Sequence, residues 1–473
     1  MIRDNNMQNI RLPKNTKSLL HTIGRIGMET DTPVYAVGGF VRDTLLNHPI
    51  REIDFVVVGD GPSFARKLKE ALHGRSFVVY SKFGTASFTV EHFKLEFVSA
   101  RKESYRNDSR KPDIKKTSLE EDLTRRDFTI NAMAMHLDQK NIGSIIDPFN
   151  GLKDLDKKII RTPLKAESTF SEDPLRMMRA ARFAGQLLFA IDDDVLNAMR
   201  SQKERLNIVS QERITDELLK ILSHDRPSMG FHILLETGIL GIIIPELACL
   251  TGVEQRGDHH HKDVFEHTMK VVDNIAKYTD NPLLRFTALM HDIGKPRVKR
   301  FIKGEGWTFH GHEIVGRHML KQIVPRLKLS NLYLKYSRKL TGLHMRPIQL
   351  IGEDVTDSAI RRLLVQAGED IEDLMTLCRA DITSGNPNRV KKHLANFDYV
   401  TRRMAEVEEK DRMRAFQSPV RGDEIMKICR LDPGPMVGQL KKKIEEAILE
   451  GHIPNDHDAA FHYLLKIKDE VIQ

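Results

Sequence analysis

Cysteine is scarce and scattered. Cys249, Cys378 and Cys429 are the only three among 473 residues, which argues against a disulfide framework and against a paired-cysteine metal knuckle. A reducing cytoplasm fits. Long apolar runs are missing as well: the richest stretch, Thr237 to Leu250, is interrupted by Pro245 and Glu246, whereas a membrane span needs roughly 18 uninterrupted apolar residues. Met1 to Lys17 is polar and lacks the apolar core of a secretion signal. There is no internal repeat and no low-complexity tract. What is present is ordinary globular composition, 40% hydrophobic and 30% charged, and at roughly 150 residues per domain the length predicts about three domains.

Lys plus Arg (74) exceed Asp plus Glu (66) by eight, a balance that permits a polyanionic partner. Arg101 to Lys116 concentrates seven basic and three acidic residues, a pattern suited to following a phosphate backbone or to a solvated loop. The chain changes character once. From Val34 to about Asp147, short β-like runs (Val34 to Val37, Ile53 to Val58, Ser76 to Tyr80, Ala86 to Val90, Lys94 to Ser99) alternate with one or two helices. After the turn cluster Pro148 to Gly151 the apolar spacing is helical almost to the end. The fold class is therefore α+β, a mixed α/β domain followed by a largely helical remainder.

A first constellation joins a glycine turn to paired carboxylates. Gly38-Gly39 follows a strand and precedes a short helix carrying Arg42, so backbone N–H groups and a guanidinium can approach phosphate oxygens. In Arg51-Glu52-Ile53-Asp54, residues two apart on a strand share a face, placing Glu52 and Asp54 together with Ile53 toward the core. Two such acids hold divalent cations of the kind used in nucleotidyl transfer. Standing alone they also describe a charged strand end. Glu96, an acid among apolar neighbours on another strand, offers a third oxygen ligand or an exposed edge residue.

A second constellation suits base recognition. In Ser171-Glu172-Asp173-Pro174-Leu175-Arg176-Met177-Met178-Arg179, Ser171 is the expected N-cap, and Asp173 and Arg176 fall on one helical face. A carboxylate accepting from an exocyclic amine beside a donating guanidinium matches cytosine and adenine. In isolation the same spacing is a helix salt bridge. Between the two lies Arg125-Arg126-Asp127-Phe128-Thr129-Ile130-Asn131, whose polar members can meet sugar and phosphate while Phe128 and Ile130 pack inward.

VGGFVRDTLLNHPIREIDFVVVG, RRDFTINAMA and EDPLRMMRAARF, in this order, resemble the class II tRNA nucleotidyltransferase and poly(A) polymerase family of the polymerase-β superfamily. The similarity covers about residues 30 to 225 and includes Ser210-Gln211-Glu212-Arg213-Ile214. It implies an enzyme that adds CMP and AMP from CTP and ATP to the 3′ end of tRNA, with two alternatives: poly(A) synthesis, or a phosphohydrolase whose nucleotidyltransferase head is impaired by Glu52. It further implies Glu52 and Asp54 as catalytic magnesium ligands, with nucleotide bound by Gly38, Gly39, Arg42, Arg126, Asp127, Asn131, Asp173, Arg176 and Arg179. The family usually has aspartate where this chain has Glu52. Residues 99 to 122 resemble the family's flexible loop at full length, which favours complete CCA addition.

A third constellation, His267, His291-Asp292, His312, His344 and Asp381, gives the order H, HD, H, H, D, a ligand set suited to one or two transition-metal ions. His310 and His312 compete for one role, and the spacing favours His312. His259-His260-His261 reads as a solvated loop. Residues 258 to 385 resemble the HD phosphohydrolase superfamily, implying a divalent transition metal and phosphoesterase chemistry, or else a helical scaffold for tRNA. Together the resemblances imply an extension (1–30), a nucleotidyltransferase head (31–150), a helical neck (151–250), an HD-type body (251–400) and a tail (401–473). The implied partner is the tRNA acceptor stem, in the cytoplasm, with no membrane and no DNA.

Overall fold

The computed structural model describes residues 12–81, 84–104, 113–255, 262–304, 306–351, 355–415, 418–449, 452–454 and 456–472. The chain divides into two compact units, Met1–Met345 with Glu372–Gly385, and Arg346–Ile371 with Asn386–Gln473. The first is α+β, opening with a mixed α/β domain and continuing in helices.

In chain order its first part runs α1 (Lys14–Glu29), β1 (Val34–Val37), α2 (Gly39–Leu45), β2 (Glu52–Val57), α3 (Gly61–Ala71), β3 (Arg75–Tyr80), β4 (Thr85–Val90) and β5 (Phe93–Ser99). A separate antiparallel hairpin, β6 (Arg101–Ser104) with β7 (Asp113–Lys116), follows, and residues 105–112 of the expected flexible loop lie outside the described residues. Then come α4 (Leu119–Thr124), β8 (Ala134–His136) and β9 (Ile145–Ile146). The main sheet has the order β3-β4-β5-β2-β1-β8-β9. All five β-like runs read from the sequence are strands within a residue or two. β6 to β9 are too short or too charged to show a period of two.

Alternation along β2 assigns its faces. Ile53, Phe55 and Val57 enter one core with Leu20 and Ile23 of α1 and Phe64 and Leu68 of α3, while Val56 joins Val37, Leu119 and Leu123 in another. Phe55, Phe97 and Phe88 stack across three strands at centroid separations of 4.7 and 5.6 Å. Glu52 and Asp54, in phase with Val56, share the face opposite Ile53, as the strand periodicity requires.

The packing cores do not divide at the expected borders. α1 is not an extension, because its apolar stripe closes the core on one face of the sheet. Beyond α5 (Gly151–Lys157), α6 (Ala166–Glu172), α7 (Leu175–Leu187), α8 (Asp193–Gln202) and α9 (Gln211–Leu222), a single hydrophobic core runs from Phe128 to Leu327 without a break at residue 250. The border at residue 400 falls inside the 29-residue helix Pro387–Ala415 of the second unit. The last three helices of that unit share their own small core of Val420, Ile425, Leu440, Ile444, Ala460 and Leu464.

Close packing of α1 yields a test. A Cβ at Gly24 would stand 1.8 Å from the carbonyl oxygen of Leu137, so Gly24→Ala must push α1 off the sheet. The expected result is a loss of roughly 1–3 kcal/mol, read as a lower urea midpoint of the intrinsic unfolding signal.

Candidate active site and candidate metal centre

Strand register assembles the first site. Val37 pairs with Asp54 across antiparallel β1 and β2, and Asp54 pairs with Glu96 across parallel β2 and β5. Paired residues point to the same face, so Asp54 and Glu96 stand side by side next to the Gly38 turn. Burial and the nearby Glu96 hold the Asp54 carboxyl up at about 6, with Arg126 opposing. Glu52 pairs with Lys94, whose Nζ lies 2.9 Å from Glu52 Oε1. Both of those side chains are well exposed, so the pair contributes little to stability, but it gives Glu52 a cationic partner that the sequence did not reveal.

Gly38 has φ +69°, and a Cβ there would lie 2.8 Å from Arg126 Nη1. The positive φ favours glycine, and a Cβ would displace the guanidinium above it. Arg126 Nη2 donates to Asp122 Oδ2 at 3.2 Å, while its buried Nε has no hydrogen-bond partner. Arg42 is fixed on three sides, donating to Asp43 Oδ1 and Oδ2 at 2.9 and 2.8 Å and to Asn131 Oδ1 at 2.7 Å. Asn131 Nδ2 in turn donates to Asp127 Oδ1 at 3.1 Å, and Arg179 donates to Asp127 Oδ2 through Nε at 2.8 Å. Burial alone would raise Asp127, but the Arg179 cation and its hydrogen bonds prevail and hold it at about 2.

The expected base-reading pair is arranged differently. Ser171 is not an N-cap: it lies in α6, Asp173 ends that helix and Pro174 begins α7. At this break, which Pro174 favours, Asp173 caps the first turn of α7, its Oδ1 accepting from Leu175 N at 3.1 Å and its carbonyl oxygen from Arg176 N at 3.0 Å, and its side chain does not pair with that of Arg176. Asp173 Oδ2 accepts from Arg213 Nη2 of α9 at 2.7 Å, and Arg176 donates to the carbonyl oxygens of Thr169 and Arg125 at 3.2 and 2.5 Å. Even so, Gly38, Gly39, Arg42, Glu52, Asp54, Glu96, Arg126, Asp127, Asn131, Asp173, Arg176 and Arg179 all line one open cleft of about 1030 Å³. Sequence reasoning missed Arg182, Arg213 and Phe183 in its wall. Arg42, Arg179 and Arg182 lie 5.0, 5.4 and 4.1 Å from the Phe183 ring centroid. The helical spacing of Arg179, Arg182 and Phe183 could have shown part of this set. Nothing in sequence links Arg213 to Asp173.

Carboxylate oxygens suit a hard divalent cation, and Asp54, raised by burial and by its acidic neighbour, would gain from one, with Glu96 and Glu52 on the same face. These three are not among the groups whose ligand atoms all lie within 4.8 Å of one another. Held there, the ion would supply charge neutralisation at a phosphate.

The second site lies in the helical body. His291, His312 and His344 each direct Nδ1 to the carbonyl oxygen three residues earlier, Ala288, Phe309 and Thr341, at 2.8, 2.8 and 2.7 Å. His267 Nδ1 meets Thr383 Oγ1 at 2.7 Å. A ring donating from Nδ1 turns Nε2 outward as a ligand atom. His267 Nε2 lies 2.8 Å from Asp381 Oδ1, and His291 Nε2 lies 3.4 Å from that atom and 3.3 Å from Asp292 Oδ2. Across Asp292, His312 Nε2 is 3.3 Å from Oδ1 and 3.2 Å from His344 Nε2.

Among the described residues, the ligand atoms that all lie within 4.8 Å of one another form two groups, His267 with His291 and Asp381, and Asp292 with His312 and His344. All six expected ligands are thus brought together, with His312 rather than exposed His310. His259-His260-His261 lies outside the described residues. Burial would lower His291, yet Asp292 and Asp381 raise it to about 10, and burial together with the His291 cation pushes His344 down to about 4. A buried donor array of imidazoles and carboxylates, with His291 Nε2 lacking a hydrogen bond, fits one or two transition-metal ions, which would polarise a phosphate ester and activate water. Gly294 is needed here too, since a Cβ would lie 2.2 Å from the carbonyl oxygen of His312.

Three family models match successive parts of the chain. The Poly A polymerase head domain family matches residues 34–161, the probable RNA and SrmB-binding site of polymerase A matches 188–250, and the HD domain matches 264–385. An A-adding tRNA nucleotidyltransferase of Deinococcus radiodurans is 31% identical over 436 residues, covering 89% of this chain and 93% of its own. The chain belongs to the tRNA nucleotidyltransferase and poly(A) polymerase family. Among its other relatives in that family, a multifunctional CCA protein of Mannheimia succiniciproducens is 34% identical over 361 residues, 73% of this chain and 83% of its own. The fold is shared with a CCA-adding enzyme in an apo form (TM-score 0.62, 22% identity, 96% of each chain). It is shared also with a tRNA nucleotidyltransferase complexed with a primer tRNA and an incoming ATP analogue (TM-score 0.57, 24% identity, 80% of this chain and 98% of the other).

The Asp127 network makes a stability prediction. Asp127→Asn leaves Arg179 without its main counter-charge and should cost roughly 1–3 kcal/mol. Because folding lowers the Asp127 pKa to about 2, its contribution is complete above the ordinary carboxylate range and is lost as pH falls through about 4 toward 2. Acid unfolding curves of the two proteins should therefore diverge at neutral pH and converge at the acid end.

Proposed function

We propose that this protein adds CMP and AMP to the 3′ end of tRNA from CTP and ATP, rebuilding CCA and releasing pyrophosphate. The observation that carries the reading is the register that sets Asp54 and Glu96 beside the Gly38 turn, across one cleft from the arginines of α7. In this reaction the 3′-hydroxyl oxygen bonds to the α-phosphorus, the bond from that phosphorus to the bridging oxygen breaks, and the hydroxyl proton leaves to a base or water. Magnesium held by Asp54, Glu52 and Glu96 would lower the hydroxyl pKa and screen the departing pyrophosphate. Gly38 and Gly39 offer backbone close to the triphosphate, and Arg126, with its unsatisfied Nε, donates to it. Asp127 and Asn131 hold Arg42 and Arg179 in place. Asp173 and Arg176 read the base once the contacts to Arg213 and to the carbonyl oxygens are exchanged for cytosine or adenine.

The similarity to an A-adding relative favours a second reading, addition of the terminal A alone. In the HD-type body we infer a divalent transition-metal phosphoesterase acting on phosphoesters such as 2′,3′-cyclic phosphates. The partner is the tRNA acceptor stem, and the cytoplasm is the compartment; among the described residues no helix is long and apolar enough to cross a membrane.

With magnesium, labelled CTP and ATP, and a tRNA lacking its 3′ end, the protein should add CCA and stop. Asp54→Ala should lower incorporation at least about a hundredfold. Extension confined to tRNA already ending in CC would select the A-only reading, and long tails from ATP alone would select poly(A) synthesis. His291→Ala should remove phosphoesterase turnover and bound transition metal together.

A further inference from the structure

Between the HD motif and the next ligand, His312, the chain leaves the helical body as a small antiparallel hairpin, Arg300–Ile302 with Gly306–Thr308. Neither centre described above uses it. Its sequence is basic: residues 295 to 304 hold five basic side chains and no acid. The pairing Phe301 with Trp307 places two aromatic side chains on one face. Their rings meet edge to face at 5.3 Å, and both stay open to solvent, Phe301 at 64% and Trp307 at 41% exposure. Lys299 Nζ lies 4.4 Å from the Trp307 ring centroid. Burying aromatics is the ordinary outcome of folding; here two are displayed together among cations.

The hairpin is also tied to the metal centre at both ends. At its start, Lys295 Nζ is 2.6 Å from Asp292 Oδ2 and 5.7 Å from the Phe309 ring centroid. At its end, the Phe309 carbonyl oxygen holds His312 Nδ1. Along the chain, Phe301 follows Asp292 by nine residues and Trp307 precedes His312 by five.

We infer that this hairpin is a reading platform for single-stranded RNA ends presented to the HD centre, a proposal that rests on the phosphoesterase reading for its purpose but not for its test. Bases stack on Phe301 and Trp307, while Lys299, Arg300 and Lys303 meet the phosphates. Stacking on an aromatic face accepts any base, and the cations follow the backbone. The substrate of the body is then a terminal phosphoester carried on an oligonucleotide rather than a free small ester.

Trp307 is the sole tryptophan of the chain, so its fluorescence reports on this hairpin alone. A six-nucleotide single-stranded RNA with a 3′-hydroxyl, titrated into the full-length protein, should quench the emission to saturation, with weaker binding at higher salt. Phe301→Ala and Arg300→Glu retain the reporter; each should weaken the RNA titration about tenfold at an unchanged melting midpoint. Emission indifferent to RNA would overturn the proposal, as would an equal response to inorganic tripolyphosphate. A spectrum that changes with protein concentration before RNA is added would assign the hairpin to contact between copies and would overturn it as well. Because binding alone is read, an inert HD centre leaves the test intact, whereas phosphoesterase turnover without quenching would uphold that centre and refute the platform.

Discussion

Asp54 sits where two strand pairings meet, and the head is organised by that meeting. The antiparallel partner β1 ends one residue before the double glycine, and the parallel partner β5 carries the second acid. A slip of one residue in either pairing would turn a carboxylate into the aromatic core and lift a phenylalanine out of it. The stacked Phe55, Phe88 and Phe97 oppose such a slip, so the same rings that stabilise the sheet also fix the position of the chemistry. Gly38 then lets Arg126 descend to the turn, and the cleft has an acidic wall and a basic wall before any nucleotide enters.

The second centre follows a different logic. In the head, strand register brings donors together from distant parts of the chain; in the body, helix ends do so. His291 follows one helix, His344 follows another, and His312 begins a third. Asp292 belongs to the ligand group of His312 and His344 and reaches the other group through Oδ2, 3.3 Å from His267 Nε2 and His291 Nε2. It is held far toward its charged form: burial opposes this, but the His291 and Lys295 cations outweigh it. Asp127 and Asp292 keep their charge in the interior because Arg179 and Lys295 are in contact with them, the condition under which burial is tolerable; Asp54, beside Glu96 instead, is pushed up.

Much of this was legible in the sequence because it rests on local periods. The alternation of Glu52, Ile53 and Asp54 defines a strand face, and the order of histidines and aspartates survives translation into space, since each belongs to a helix end. The lengths of the five longer strands followed for the same reason. What escaped is non-local. Lys94 reaches Glu52 only through strand pairing, and Arg213 reaches Asp173 only because α9 packs against α7. The break at Pro174 defeated the reading of Asp173 and Arg176 as one helical face, since a spacing of three residues has that meaning only inside an unbroken helix. The family borders implied by resemblance do not mark where apolar side chains interlock: α1 joins the core of the sheet, and one core runs past residue 250.

The tether repeated at His291, His312 and His344 reaches beyond holding a ring. Each imidazole is anchored to a carbonyl of its own chain segment, so its rotation is settled locally, before the segments meet. Assembling the cage reduces to the translation of prefabricated pieces, and a loosened core would shift ligand spacing while leaving ligand direction intact.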